Sequence, residues 1–282
     1  MIVYYCGRYL AKADVHVSPD DRGLVFADGV YEVVRSYRGR LFRWEAHMAR
    51  LAHSLEGLRI AGADVTSLAD VASRLLRENG LAEAEATIYL QITRGAAPRA
   101  HEFPAADTRP TVYLEAKPFS PKNTAQQDGV SVIILPDQRW TRCDLKTTCL
   151  LPNILAFQAA REAGAAEAVL SRDGVLLEGT RSSMLFVKGG AILVPPLNNY
   201  ILGSITRQIA LELAAQEQIP VAIESCFEAN ASQLDELMMV GTTSEIIPVT
   251  RIGSRFVGTG TPGPITRRLQ AAFRKLTEEV QV

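Results

Sequence analysis

Four short segments of this 282-residue chain hold side chains suited to covalent and acid–base chemistry. The first is Trp140-Thr-Arg-Cys-Asp-Leu-Lys146-Thr-Thr-Cys-Leu-Leu-Pro-Asn153. Lys146 follows an apolar run and precedes an apolar helix start, and a desolvated lysine can lose its proton and attack an aldehyde. The second is Leu177-Glu178-Gly179-Thr180-Arg181-Ser182-Ser183, where a carboxylate ends a strand pattern and can face a cationic ring nitrogen. The third, Tyr200-Ile-Leu-Gly203-Ser204-Ile205-Thr206-Arg207, leads through glycine and serine into a helix, whose free N–H groups and positive dipole end suit a phosphate. The fourth, Val240-Gly241-Thr242-Thr243-Ser244-Glu245, adds hydroxyls where a strand ends. Taken singly, each also reads as ordinary structure: a surface or ion-paired lysine, a solvated hairpin glutamate, a helix capped by Ser204.

In combination they are more specific. Trp-x-Arg-Cys-Asp-x-Lys, Glu-Gly before small polar residues, Ile-Leu-Gly-x-Ile-Thr-Arg and Thr-Thr-Ser-Glu-Ile-x-Pro-Val, in that order, resemble the fold-type IV pyridoxal-phosphate enzymes. That family includes D-amino acid aminotransferases, branched-chain aminotransferases and aminodeoxychorismate lyase. The resemblance spans residues 20–273 and implies an α/β (α+β) fold of two domains with pyridoxal 5′-phosphate between the lobes. It implies that Lys146 carries the cofactor and acts as the catalytic base, and that Glu178 pairs with the pyridine nitrogen. Arg50, Ser204, Ile205, Thr206, Gly241 and Thr242 then fall at the phosphate, and Leu202 against the ring. No metal is implied.

The N-terminal half separates the subfamilies. Asp28-Gly29-Val30-Tyr31-Glu32 opens a strand, and Thr93-Arg-Gly-Ala-Ala-Pro-Arg99-Ala-His101 sets Arg99 and His101 two apart in a loop. By chemistry alone that loop is either a solvated basic segment or a carboxylate grip. Tyr31 with Arg99-x-His101 resembles the carboxylate trap of D-amino acid aminotransferases. There the loop comes from the neighbouring subunit, which implies a homodimer, D-alanine-like donors and 2-oxoglutarate as acceptor. Branched-chain or R-selective amine transamination, and the lyase reaction, are the alternatives within the fold. Arg181 and Gly241 depart from the subfamily pattern, which has a small serine and a hydroxyl residue at these positions.

These residues need a scaffold. Strand patterns cover 2–6, 9–10, 30–37, 41–42, 87–93 and 111–116. Trp44, Met48, Leu51, Leu55 and Leu58 mark one face of a helix. A second helix runs over 67–79, with Ser67 and Asp70 as a capping pair and Gly80 at its end. The proline-bearing polar stretch near 119–129 separates a smaller domain, 1–118, from a larger one, 130–282. In the latter, strands fall at 130–135, 167–170, 175–177, 184–188, 192–194, 221–224, 237–240 and 246–249. Helices fall at 153–162, 205–216 and 264–280.

The composition narrows the partners. Thirty Lys and Arg against 31 Asp and Glu leave a formal charge of −1, which offers nothing to nucleic acid or an anionic membrane. Cys6, Cys143, Cys149 and Cys226 form no zinc or Cys-x-x-Cys spacing and read as scattered buried thiols in a reducing compartment. No apolar run reaches bilayer length and 1–10 has no signal-peptide pattern, so a cytoplasmic protein of small-molecule chemistry is expected. Gly258-Thr-Gly260-Thr-Pro-Gly263 fits G-x-G-x-x-G, but no βαβ unit follows it, so it reads as a glycine-rich turn.

Overall fold

The computed structural model describes residues 1–279 and divides them into two compact units. The first holds Met1–Ser120 together with Leu145–Leu150. Its elements are β1 (Ile2–Tyr5), β2 (Arg8–Ala11), α1 (Arg22–Phe26), β3 (Gly29–Tyr37), β4 (Arg40–Leu41), α2 (Trp44–Gly57), α3 (Leu68–Glu78), β5 (Ala86–Thr93) and β6 (Thr111–Pro118). The strands form one antiparallel sheet in the order β2-β1-β6-β5-β3-β4.

Alternation along β3 decides what the first unit can place. Val30 and Val34 enter a core with Leu51 and Leu55 of α2 and Leu75 and Leu76 of α3. Each fully buried leucine contributes roughly 1.5–3 kcal/mol. The same alternation carries Glu32 into that buried layer and leaves Tyr31 and Val33 half-buried. The expected Ser67 cap does not form. Ser67 has helical angles and makes no capping hydrogen bond, while Asp64 accepts from the Thr66 N–H at 2.9 Å and its hydroxyl at 2.6 Å, ordering the preceding turn. Gly80 does terminate α3, at φ +70°.

The second unit holds Pro121–Asp144 and residues 151–279. Its elements are α4 (Asn123–Asp128), β7 (Val130–Pro136), α5 (Leu151–Glu162), β8 (Glu167–Arg172), β9 (Val175–Gly179), β10 (Ser183–Lys188), β11 (Ala191–Val194), α6 (Ile205–Gln216), β12 (Val221–Ile223), β13 (Cys226–Phe227), β14 (Glu236–Gly241), β15 (Glu245–Ile252), β16 (Arg255–Phe256) and α7 (Pro264–Glu279). Val280, which the periodicity assigns to the last helix, lies outside the described residues. Part of the polar stretch read as a linker folds as α4. The sheet runs β12-β11-β10-β14-β15-β7-β8-β9-β13, with β16 on β15. Strand β9 also meets β10 through Glu178 and Ser183, so six strands close on themselves around Val132, Val169, Phe186, Met239 and Ile247. The β8–β9 turn places Asp173 and Gly174 at φ 53° and 76°, the two positive values a type I′ hairpin requires.

Helix α7 starts from a buried acid. Glu236 accepts from the N–H groups of Ile265 at 2.9 Å and Thr266 at 2.8 Å, and from the Thr266 hydroxyl at 2.6 Å. Hydrogen bonds to a charged group contribute about 1.5–3 kcal/mol each. Glu236→Ala is therefore expected to destabilise the protein by roughly 2–3 kcal/mol. A urea midpoint equal to that of the parent chain would remove this role.

Candidate active site

Lys146 is placed by main-chain pairing. The Tyr31 N–H donates to the Lys146 carbonyl at 3.0 Å, the Thr148 N–H donates to Gly29 at 3.0 Å, and Thr147 bridges Val30. The Lys146 N–H in turn donates to Ser54 Oγ of α2 at 3.0 Å. Residues 145–150 thus lie along β3 like a short extra strand, and the half-buried lysine points its Nζ over the Tyr31 ring, 4.2 Å from the centroid.

Behind Tyr31 lies a buried charge cluster. Glu32 is fully buried and accepts from Arg50 Nε at 2.7 Å and Nη2 at 2.8 Å. It meets His47 Nδ1 at 2.8 Å. Burial raises the carboxyl, but the Arg50 charge and hydrogen bonds, with His47 and Lys146, outweigh it and hold Glu32 down at about 2. Burial depresses His47 below its ordinary value despite Glu32, so the neutral ring donates its Nδ1–H to the carboxylate. Arg50, expected at the phosphate, is thereby anchored to Glu32 by one side of its fork.

In the second unit, Glu178 is buried at the end of β9. It accepts from Arg139 Nη1 and from the Leu202 N–H at 3.2 Å. Leu202 thus belongs with Glu178 through its backbone. Ser204 caps α6, accepting from the Arg207 N–H at 3.1 Å. The Ile205 and Thr206 N–H groups have no acceptor within the helix, which leaves them for a bound anion. Thr242 stands half-exposed where β14 ends. A Cβ on Gly241 would lie 3.7 Å from the Arg181 carbonyl and 3.9 Å from Ser182 Cα, ordinary contacts that leave the position open to a small side chain. Arg181 lies over the Phe157 ring of α5 at 4.2 Å, with its Nε 4.0 Å from buried Glu167.

Arg99 and His101 group around Phe26, with the guanidinium 5.3 Å and the imidazole 5.7 Å from that ring's centroid. Both are exposed in the single chain. Their loop is tied down by Arg22, which donates to the Ala100 carbonyl at 2.7 Å. Tyr31 belongs instead with Lys146 and Tyr89, whose ring lies 6.1 Å away.

Four neighbours escape a reading by motif: Glu32, His47, Ser54 and Arg139. Glu32 carried a signal, an acid on the apolar face of β3, and His47 and Arg50 stand three apart on the helix that covers it. The arginine inside the quoted motif, Arg142, is exposed and pairs with Asp144 at 2.9 Å. Arg139, just before the motif, is the one that meets Glu178. Among the described residues no three His, Cys, Asp or Glu side chains gather as a metal site.

Each unit by itself holds groups that suit a phosphorylated pyridine aldehyde: the first an amine on Lys146, the second a carboxylate for a protonated ring nitrogen on Glu178 and N–H and hydroxyl donors for a phosphate at Ile205, Thr206 and Thr242. Comparison agrees. The profile of the family described as amino-transferase class IV matches residues 29–252. The D-alanine aminotransferase of Staphylococcus haemolyticus is 36% identical, with 98% of each chain covered. That of Bacillus licheniformis is 38% identical, covering 97% of this chain and 96% of the relative. Among solved structures, the branched-chain amino acid aminotransferase of Escherichia coli superposes with a TM-score of 0.92 at 26% identity, covering 98% of this chain and 94% of its own.

The Glu32 cluster sets a dependence on acid. A carboxyl lowered from 4.5 to about 2 contributes stability that is fully present above 4.5 and lost as the pH falls through 2. Unfolding free energy is expected to drop across that window, and to drop less steeply in Glu32→Gln. Parallel pH profiles for the two proteins would contradict the assignment.

Proposed function

Because the chain belongs to the class IV aminotransferases, whose cofactor is pyridoxal 5′-phosphate, we propose that it transfers the amino group of D-amino acids such as D-alanine to 2-oxoglutarate, giving a 2-oxo acid and D-glutamate. The observation that carries this reading is Lys146, fixed over Tyr31 by its pairing with β3, in a chain whose near-full-length relatives are named D-alanine aminotransferases.

When bound, the cofactor supplies the electron sink for Cα–H cleavage. The chain's own side chains do the rest. Lys146 Nζ moves the proton from the substrate Cα. Glu178 presents a carboxylate to the ring nitrogen, and Ile205, Thr206, Thr242 and Arg50 hold the phosphate. Leu202 lines the ring. Tyr31 offers its hydroxyl to the substrate carboxylate, whose position sets which Cα hydrogen faces Lys146 and hence which enantiomer reacts.

Arg99 and His101 complete the carboxylate grip from a second copy of the chain. Their exposure in the single chain supports this, as does α5, which turns Leu151, Ile154 and Leu155, at helical spacing, to solvent. A homodimer covers both features. Of the four free cysteines, Cys143 and Cys226 are buried as expected, whereas Cys6 and Cys149 are exposed; free thiols fit the reducing cytoplasm, and among the described residues no helix is long and apolar enough to cross a membrane. The structural likeness to branched-chain aminotransferases favours L-branched substrates as the second reading, which the Arg99-x-His101 pair opposes.

A panel of D- and L-amino acids with 2-oxoglutarate tests the proposal. Turnover of D-alanine above L-leucine and L-valine is expected, and the reverse order replaces it with the branched-chain reading. Lys146→Ala is expected to lower turnover by roughly 10²–10⁴-fold or more, the usual weight of a proton-transfer group. Arg99→Ala should raise KM for D-alanine while leaving amines without a carboxylate unaffected. Equal effects on both remove Arg99 from the grip.

A further inference from the structure

Four side chains of alternating charge run through the interior of the second unit: Arg172, Asp137, Arg139 and Glu178. Asp137 follows β7 and its side chain is fully buried. It accepts from Arg139 Nε at 2.9 Å and Nη2 at 3.1 Å, and from Arg172 Nη2 at 3.0 Å. Arg139 then spends its far side on two further acceptors, Glu178 and the Tyr200 carbonyl, the latter at 3.1 Å. Arg172 closes the set by lying over the Tyr200 ring at 4.2 Å. Two residues beyond Tyr200, the Leu202 N–H donates back to Glu178.

This arrangement does more than pair buried charges. A carboxylate facing a protonated pyridine in a water-poor site can take the proton, leaving two neutral partners. A guanidinium locked on one carboxylate oxygen opposes that transfer, because it favours the acceptor-only form. Asp137 offsets the charge that Arg139 would otherwise press on the ring nitrogen. The Asp137 hydrogen bond and the Glu178 charge outweigh burial and raise Arg139 above its ordinary value, so it stays charged throughout. The hydrogen bond to Tyr200 also sets the loop entering α6 at a fixed place relative to Glu178, and with it the N–H groups of Ile205 and Thr206.

We infer that Arg139 is a positioning residue for the cofactor, which keeps the proton on the ring nitrogen and fixes the spacing between Glu178 and the phosphate cradle, with Asp137 and Arg172 as its support. This rests on Glu178 being the ring-nitrogen partner.

The test reconstitutes the full chain and its variants with pyridoxal phosphate labelled with ¹⁵N in the ring. Two quantities are read, the ¹⁵N chemical shift and the equilibrium dissociation constant of the cofactor. The parent protein should show a pyridinium shift. Arg139→Met should move the resonance toward neutral pyridine and weaken cofactor binding about tenfold or more, as loss of charge-assisted hydrogen bonds does. Arg139→Lys, which keeps the charge but not the fork, should retain the pyridinium shift and still bind the cofactor roughly threefold or more weakly. It decides the matter if the methionine variant does not fold. Unchanged shift and affinity in Arg139→Met, or unchanged affinity in Arg139→Lys, overturn the inference. Glu178→Gln separates the two levels. If it moves the resonance while Arg139→Met does not, only the role of Arg139 falls. If it leaves a pyridinium shift, the assignment of Glu178 falls as well.

Discussion

A carboxylate removed from water must be matched where it lies, and the acids of the candidate site stand where that matching puts them. Unmatched, a buried charge costs several kcal/mol. Glu32 meets Arg50 and His47; Glu178 meets Arg139 and a main-chain N–H. Glu167 accepts from the Thr180 N–H at 3.2 Å and hydroxyl at 2.5 Å and from the Ser182 hydroxyl at 3.1 Å. The Glu167 contacts brace the turn that follows Glu178, so one buried acid orders the backbone around another. Pairing of this kind adds little net stability, but it leaves each group a single place to be. That is the condition a bound cofactor needs, since a misplacement of about 1 Å can cost a hundredfold in rate.

Each unit places its own candidate residues, and the means differ. In the first, strand alternation and one helix suffice: β3 presents Tyr31 on one face and Glu32 on the other, and α2 covers Glu32. Lys146 then joins by main-chain pairing along β3, which fixes its backbone without using its side chain. In the second, the closed ring of strands brings the ends of β9 and β14 and the start of β10 together, and the groups there are backbone N–H donors, small hydroxyls and one acid. Gly241 and Arg181 stand at this rim. The structure gives Arg181 a seat on Phe157, where it is more than half exposed and engaged by Glu167.

Local grammar made much of this legible. The helix face from Trp44, the cap at Ser204, the hairpin at Asp173-Gly174 and the termination at Gly80 are all decided within a few residues, and the structure has them. The candidates Lys146 and Glu178 and the start of α6 stand out as motifs for the same reason. The Ser67 cap failed because Asp64, three residues earlier, orders the turn first. Helix α4 was hidden by prolines and polar residues that read as a linker, although its Gln126 reaches Glu245 at 3.0 Å, a partner far away in sequence.

The arginines show where such reading stops. Arg139 and Arg142 are three residues apart in one loop, and their types and neighbourhoods in sequence are alike. Arg142 lies in solvent beside Asp144, a pair of the kind that contributes at most about 1 kcal/mol. Arg139 is buried between Asp137 and Glu178, whose positions depend on where β7 and β9 meet β8. What separates the two is the sheet, assembled from strands some forty residues apart. A motif that names Arg142 therefore marks the neighbourhood of the site, while the residue that touches Glu178 is selected by the fold. Replacing one arginine by lysine should matter little at Arg142, whose fork meets only Asp144, and does so in solvent. At Arg139 both arms of the planar fork have separate acceptors, and a single ammonium cannot reach them all.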